Sequence, residues 1–126
     1  MPLPRRSAAG KGAMRSVFIT GAATGIGRAT ARLLDAQGWR VFAGVLPGQE
    51  TTPLCKGASP HLTPIEIDIT KDDLVGRAVQ QVEAGVGEGG LSALINNAGV
   101  ADLAAGPLEG ISLGEMRALF EINVFG

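Results

Sequence analysis

The segment TGAATGIG, residues 20–27, constrains the fold of this chain more than any other feature. Three glycines, Gly21, Gly25 and Gly27, follow directly after the apolar run Val17-Phe18-Ile19. Because glycine has no Cβ, it tolerates a left-handed backbone and lets other atoms approach the chain closely. The pattern therefore predicts a tight turn after a buried strand, with a ligand or another backbone segment lying against the turn.

A helix is predicted to begin at Gly25 and to end near Gln37, with Gly38 as its stop. Its expected apolar face consists of Ile26, Ala29, Thr30, Leu33 and Leu34. The unpaired N–H groups and positive dipole end of a helix N-terminus suit a phosphate. In this interpretation Gly21 makes the turn, Gly25 admits a dinucleotide pyrophosphate and Gly27 lets the helix pack closely on the strand. A glycine-rich turn without a ligand is the alternative, and a Walker A loop is excluded because no Gly-Lys-Ser/Thr follows.

The end of the second predicted strand leaves the choice of dinucleotide open. The strand is RVFAGVL, residues 40–46. An acidic residue about 20 residues after the glycines would bind a ribose 2′-hydroxyl, whereas an arginine would accommodate a 2′-phosphate. Val45 and Leu46 stand at this point, and the nearest acid, Glu50, lies beyond Pro47-Gly48. The predicted cofactor is therefore NAD or NADP, without a preference.

Strands and helices alternate along the rest of the chain. Residues 47–60 contain three prolines and predict a second helix that is short or absent. LTPIEIDIT, residues 62–70, predicts a third strand from near Pro64, and LSALINNAG, residues 91–99, predicts a fourth. This order predicts an α/β fold of the Rossmann type, a doubly wound parallel sheet with helices on both faces.

Two of the predicted helices carry capping signals. Thr70 and Asp73 indicate a capping box before the third helix, whose apolar face should comprise Leu74, Val75, Ala78, Val79 and Val82. Ser112 and Glu115 indicate a second box before the last helix. Helical spacing then predicts one apolar face with Met116, Leu119, Phe120 and Asn123. A buried amide at Asn123 would need hydrogen-bond partners.

Composition narrows the class of protein further. The 126 residues are enough for one domain at most. Cys55 is the only cysteine, which excludes an intrachain disulfide and a cysteine-based zinc site; we expect no metal site and a cytoplasmic location. Residues 1–15 are basic and rich in Pro, Gly and Ala, so they predict a flexible leader before a domain that spans 16–126. No apolar run approaches the roughly 18 residues of a membrane helix, so no membrane partner is expected.

The charge distribution raises the question of a nucleic-acid partner. Residues 1–40 contain seven Lys or Arg residues against Asp35 alone. However, Arg28, Arg32 and Arg40 have the spacing of the solvated face and exit of a helix. We therefore expect no nucleic-acid partner.

Four motifs together change the interpretation: TGAATGIG (20–27), DIT (68–70), NNAG (96–99) and NVFG (123–126). Their order and spacing resemble the short-chain dehydrogenase/reductase family from about Arg15 to the last residue. The resemblance implies a Rossmann fold that binds NAD or NADP. It also implies hydride transfer between this cofactor and a small alcohol or carbonyl substrate.

The resemblance further implies a set of cofactor-binding residues. In the glycine loop they are Thr20, Gly21, Thr24, Gly25, Ile26 and Gly27. The family pattern makes Asp68 the acceptor of a hydrogen bond from the adenine amino group, with the backbone of Ile69 beside it. The NNAG motif steadies the central strand and lines a ribose in the family, and from it we select Asn96, Ala98 and Gly99.

The last motif, NVFG, implies a catalytic role for Asn123, but the other catalytic residues of the family are missing from the sequence. In the family Asn123 belongs to an Asn-Ser-Tyr-Lys tetrad and helps a water complete a proton relay to the lysine. The Ser and the Tyr-x-x-x-Lys should follow by a few tens of residues, but the chain ends at Gly126 and contains no tyrosine. We therefore expect the cofactor-binding N-terminal part of a dehydrogenase, truncated after the helix that follows strand 4 and inactive alone. The alternative is a non-catalytic dinucleotide-binding or interaction module, and the complete enzyme should be a homodimer or homotetramer, as the family implies.

Overall fold

A four-stranded parallel sheet forms the centre of the protein. The computed structural model describes residues 14–101 and 106–126. The strands are β1 (Ser16–Ile19), β2 (Arg40–Val45), β3 (Leu62–Glu66) and β4 (Ala93–Ile95). Their order in the sheet is β3-β2-β1-β4, and every pair is parallel. The predicted Rossmann-type α/β fold is confirmed, although β3 begins two residues before Pro64.

Four helices connect or follow the strands. They are α1 (Gly25–Ala36), α2 (Thr52–Cys55), α3 (Asp72–Val86) and α4 (Leu113–Phe120), and a π-helical turn, Glu121–Phe125, follows α4. The predicted stop of α1 is confirmed, since Gly38 follows it with φ of 81°. With only four residues, α2 is as short as the prolines predict.

The strand side chains form two cores, one on each face of the sheet. Val17 and Ile19 of β1 lie in the first core, whereas Phe18 between them lies in the second. Successive residues of a strand point to opposite faces, so a strand covered on both sides is apolar throughout. Helices α1 and α2 contribute Ala31 and Leu54 to the first core, and α3 contributes Ala78 and Val82 to the second. The sheet is therefore doubly wound.

The buried side of α1 differs from the predicted apolar face. The buried residues are Gly27, Ala31 and Asp35, whereas Ile26 is 80% exposed and Leu33 is 58% exposed. The buried stripe consists mostly of small residues because the helix begins very close to the turn after β1, where larger side chains do not fit. Of the predicted face, Leu34 does pack against the first core, but hydrophobicity alone missed the three residues that are buried.

The capping box predicted at Thr70 and Asp73 is not formed. Lys71 is the N-cap residue of α3, and its side chain makes no capping hydrogen bond. The Thr70 hydroxyl instead donates to Asp68 Oδ1 at 2.7 Å. Asp73 forms an ion pair with Arg77 at 3.7 Å, one turn along the helix. The Thr70 side chain thus belongs to a local turn with Asp68, and α3 begins one residue later than a capping box at Thr70 requires.

The box at Ser112 and Glu115 is confirmed, but the predicted face of the last helix is not. The N–H of Ser112 donates to Glu115 Oε2 at 2.8 Å, and the N–H of Glu115 donates to Ser112 Oγ at 3.2 Å. Asn123 is exposed and lies in the π-helical turn, beyond the end of α4 at Phe120. Because a π turn holds more residues than an α turn, the 3.6-residue spacing does not extend to Asn123.

Two arginines of the basic N-terminal third, Arg32 and Arg40, bind the backbone of the chain. Arg32 Nη1 donates to the carbonyl oxygens of Leu54 at 3.0 Å and Lys56 at 2.7 Å, at the C-terminal end of α2. Arg40 donates to the carbonyl oxygen of Gly85. The sequence predicted only a solvated helix face and exit for these two side chains, and Arg40 is the first residue of β2. They bind backbone carbonyls of the chain itself.

The predicted leader, 1–15, falls almost entirely on residues 1–13, which lie outside the described residues. Its last residue, Arg15, stacks on Trp39, with the guanidinium carbon 4.3 Å from the ring centroid. This cation–π contact ties the start of β1 to the residue that precedes β2.

Asp35 provides a test of the contact between α1 and the segment before β3. Its buried carboxylate accepts hydrogen bonds from the N–H of Ser59, at 2.9 Å, and from the Ser59 hydroxyl. We expect Asp35→Ala to lower the free energy of unfolding by about 1–3 kcal/mol, because the Ser59 N–H loses its partner. Urea denaturation measures this change.

Glu83, which is exposed on α3, provides the control. Glu83→Ala should change the free energy of unfolding by less than about 0.5 kcal/mol. Equal effects of the two substitutions would contradict a structural role for the Asp35–Ser59 contact.

Candidate functional site

The carboxyl ends of the strands open onto one cleft of about 550 Å³. Its lining comes from four segments, 20–27, 44–49, 67–70 and 97–100, together with Ile122. The first three segments follow or end β1, β2 and β3, and the fourth follows β4. This is the edge at which doubly wound sheets bind ligands.

Gly21 and Gly27 bring the turn after β1 close to the end of β4. Gly21 has φ of 66°, and a Cβ there would lie 2.9 Å from Ala98 Cα. A Cβ on Gly27 would overlap the carbonyl oxygen of Gly21 and lie 2.5 Å from Asn97 Nδ2. Gly21 thus makes the predicted turn. The close packing of Gly27 involves this turn and Asn97 rather than the strand itself.

Gly25 serves a different purpose, because apart from its chain neighbours and the backbone of its own helix no described protein atom lies within 4 Å of the Cβ it would carry. Its φ is 54°, and both Gly25 and Ile26 line the cleft. The N-cap residue of α1, Thr24, makes no side-chain capping bond, and the first turn contains no acidic residue. The first N–H groups of α1 are therefore left for a group from outside the helix. The arrangement suits an anion.

Asn97 is the residue that holds this arrangement together, and our selection from the NNAG motif omitted it. Asn97 Nδ2 donates to the carbonyl oxygens of Thr20, at 3.0 Å, and Gly21, at 3.1 Å. The Thr20 hydroxyl in turn accepts from the N–H groups of Asn97, at 3.1 Å, and Ala98, at 3.0 Å. These bonds fix the turn after β1 to the end of β4.

Strand alternation is the signal that distinguishes Asn97 from its neighbour. Ala93 and Ile95 of β4 pack against the core on the α1 side, and Asn97 continues the same alternation. Asn96 has the parity of Leu94, which is 57% exposed, and Asn96 is itself exposed and does not line the cleft. The structure brings Ala98 and Gly99 into the lining but leaves out Asn96.

Asp68 lines the cleft at the end of the segment after β3, with Ile69 and Thr70 beside it. Asp68 Oδ1 accepts from the Thr70 hydroxyl at 2.7 Å and from the Thr70 N–H at 3.0 Å. The Thr70 hydroxyl, its N–H and, more weakly, the charge of Lys71 lower the pKa of Asp68, while desolvation opposes them. Asp68 therefore presents a carboxylate at neutral pH, with Oδ1 anchored and Oδ2 available as an acceptor.

Asn123 lies next to the cleft rather than in its lining. Its Oδ1 accepts from the N–H of Val100 and its Nδ2 donates to the carbonyl oxygen of Val100, both at 2.8 Å. Ile122 beside it and Val100 both line the cleft. The amide thus fixes the π-helical turn to the segment that follows β4. The prediction that Asn123 needs partners is confirmed, but the expected burial is wrong.

The comparison with known families agrees with this geometry. A family model described as short chain dehydrogenase matches residues 15–126. The chain belongs to the short-chain dehydrogenase family. Dehydrogenase/reductase SDR family member 9 of Homo sapiens is 39% identical over 110 residues, which are 87% of this chain and 34% of that relative. Retinol dehydrogenase 5 of Homo sapiens is 38% identical with the same coverage.

Solved structures share the fold. The Caenorhabditis elegans protein assigned as carbonyl reductase Sniffer superposes with a TM-score of 0.77 and 28% identity, covering 90% of this chain and 48% of that one. The chain spans about a third of the length of the curated relatives it matches. Within the part of the chain that the structure describes, every helix is too short or too polar to cross a bilayer.

The anchoring of Asp68 can be tested at Thr70. Since the Thr70 hydroxyl is the largest cause of the lowered pKa, we expect Thr70→Val to raise the pKa of Asp68 toward its ordinary value. Because the folded pKa lies below the unfolded one, the bond stabilises the fold above the ordinary aspartate pKa. This contribution disappears as the pH falls through the lowered value. An NMR titration of the Asp68 carboxyl carbon measures the shift.

Thr70→Ser retains the hydroxyl and is the matched control. It should leave the pKa of Asp68 low. If Thr70→Val gave the same titration curve as the unsubstituted protein, the hydroxyl would not be the anchor.

Proposed function

We propose that this chain is the cofactor-binding N-terminal part of an NAD(P)-dependent oxidoreductase. The single observation that carries the proposal is that the N-terminus of α1 is uncapped and opens on the cleft at Gly25. By contrast, α4 is closed by a complete capping box, and α3 has Asp72 and Asp73 in its first turn. An uncapped helix end without acidic residues suits the pyrophosphate of a dinucleotide.

The residues present fit such a cofactor. The space at Gly25 is of the kind that a Cβ would fill and a phosphate oxygen can use. The N–H groups of Gly25, Ile26 and Gly27, which have no partner within a helix, would bind the pyrophosphate. When bound, a nicotinamide dinucleotide supplies the hydride chemistry of the reaction.

Other residues of the cleft would place the adenosine half. Asp68 would accept a hydrogen bond from the adenine amino group through its free Oδ2, with Ile69 beside the base. Ala98 and Gly99 would line the ribose on the β4 side. Thr20 and Asn97 would act as positioning residues, because their side chains hold the turn and β4 together.

We assign Asn123 a positioning role in the proton relay of the complete enzyme. Both ends of its amide bind the backbone of Val100. Its contribution would therefore be to hold the π-helical turn and the segment after β4 where a relay water is bound. The general acid–base tyrosine with its lysine, and the serine, would come from residues beyond this chain.

The substrate class follows from the family and its named relatives. A short-chain dehydrogenase would move a hydride between the cofactor and a small alcohol or carbonyl compound. One relative is named for retinol, so apolar alcohols are the first compounds to assay. We expect the complete enzyme to be a homodimer or homotetramer in the cytoplasm, with no nucleic-acid partner.

Gly25→Val tests the pyrophosphate site. A Cβ and two methyl groups at Gly25 would extend into open cleft and block the backbone from the ligand. The loss of one or two hydrogen bonds to a charged group should weaken dinucleotide binding roughly tenfold to a hundredfold or more. Isothermal titration calorimetry of the complete protein with NAD and NADP measures the affinity.

Gly38→Val is the matched control. Gly38 also has a positive φ, 81°, and open space around its missing Cβ, but it does not line the cleft. Its substitution should impose similar backbone strain and leave the affinity unchanged. An unchanged affinity of Gly25→Val for the dinucleotides would contradict a pyrophosphate site at Gly25.

Asn123→Ala tests the catalytic proposal in a form of the protein that includes the Ser and the Tyr-x-x-x-Lys. We expect kcat to fall roughly tenfold to a hundredfold, less than the loss of a general acid–base group itself, and the pH profile to shift. The dissociation constant for the dinucleotide should stay the same. An unchanged kcat and pH profile would remove Asn123 from the relay.

The same assay separates the enzyme from a non-catalytic module. We expect the 126-residue chain alone to transfer no hydride, because it contains no tyrosine. The complete protein should do so with an alcohol or carbonyl substrate. If the complete protein bound the dinucleotide but transferred no hydride, the alternative of a non-catalytic dinucleotide-binding module would be favoured.

A further inference from the structure

The turn after β2 presents an uncharged hydrogen-bond donor to the cleft. The N–H of Gln49 donates to the carbonyl oxygen of Leu46 at 3.0 Å, which closes a four-residue turn. Pro47 and Gly48, whose φ is 73°, occupy its central positions, the residue types that a type II turn requires. Gln49 and Leu46 both line the cleft.

The side chain of Gln49 is oriented by this turn. The N–H of Leu46 donates to Gln49 Oε1 at 3.1 Å. Because an N–H can bind only the acceptor end of an amide, the bond determines which end of the side chain is the oxygen. The NH₂ group of Gln49 therefore remains as the available end, and Gln49 is bound to Leu46, which stands where related folds place the residue that binds the ribose 2′ substituent.

The charge in the described lining of the cleft is negative. Among the described lining residues Asp68 carries the only charge, and none is Lys, Arg or His. Glu50 follows Gln49 directly, and hydrogen bonds from the Thr52 hydroxyl and N–H lower its pKa, with desolvation opposing them. Glu50 is thus a carboxylate at neutral pH. Lys71 acts on Asp68 but does not line the cleft.

We propose that this turn makes the protein select NAD over NADP, with Gln49 as the specificity-determining residue. The NH₂ of Gln49 would donate to a free ribose 2′-hydroxyl. A 2′-phosphate would bring about two negative charges to a lining without a cation among the described residues, next to the carboxylate of Glu50, which follows Gln49 in the chain. The preference for NAD would thus come from a neutral donor for the 2′-hydroxyl and from repulsion of the 2′-phosphate. Neither the acid nor the arginine that usually sets the preference stands at the end of β2.

This inference rests on the proposed function, and one titration series separates the two. We expect the complete protein to bind NAD roughly tenfold or more tightly than NADP, because like charges brought together are strongly unfavourable. The ratio should shrink as the salt concentration rises, since screening weakens repulsion between exposed charges. Isothermal titration calorimetry with each dinucleotide measures both dissociation constants.

Three variants test the role of Gln49. Gln49→Arg should shift the NAD-to-NADP affinity ratio roughly tenfold toward NADP, because it adds the missing cation. Gln49→Glu retains an acceptor for Leu46 and should shift the ratio further toward NAD. Gln81→Arg adds the same charge on the exposed surface of α3 and should leave the ratio unchanged.

The outcomes that overturn the proposals differ. Equal affinities, or a preference for NADP, in the unsubstituted protein would overturn this inference and leave the dinucleotide site intact. A ratio that Gln49→Arg and Gln81→Arg alter equally would remove Gln49 as its cause. If neither dinucleotide bound, the proposed function and this inference would both fail.

Discussion

The contact between Gly27, the turn at Gly21 and the amide of Asn97 is the constraint on which the rest of the site depends. A Cβ on Gly27 would overlap the Gly21 carbonyl oxygen, and Asn97 Nδ2 binds the carbonyl oxygens of both Thr20 and Gly21. The start of α1 is therefore held against the end of β4. Because of this contact, the unpaired N–H groups of α1 open on the cleft and do not end in the core.

The cleft combines a partial positive charge at the start of α1 with one full negative charge. The helix end offers partial positive charge from the backbone, which does not depend on pH. The only full charge among the described lining residues is the carboxylate of Asp68, anchored by Thr70. The proposed ligand would match this distribution with an anionic group at the helix and a hydrogen-bond donor at Asp68.

Much of the fold could be predicted because it depends on local periodicity. The alternation of short apolar strands with helices predicted the parallel sheet, and the Ser112–Glu115 box predicted the start of α4. The predictions were wrong where burial or hydrogen bonding depends on residues that are close in space. Ile26 and Leu33 are apolar but exposed, whereas the small residues Gly27 and Ala31 are buried where α1 begins close to the turn after β1. Thr70 binds Asp68 and does not cap α3, because the turn with Asp68 places the start of the helix one residue later, with Lys71 as its N-cap.

The sequence by itself determined the order of elements, the glycine turn and the positions of Asp68, Ala98 and Gly99 near a predicted ligand, because spacing and backbone freedom are local properties. Only the tertiary structure decided that Asn97, and not Asn96, holds the turn, and that Gln49 lines the cleft with its side-chain oxygen bound to the N–H of Leu46. Asn97 lies 76 residues from Gly21 in the chain. Such a bond depends on the register between β1 and β4, which exists only once the sheet has formed.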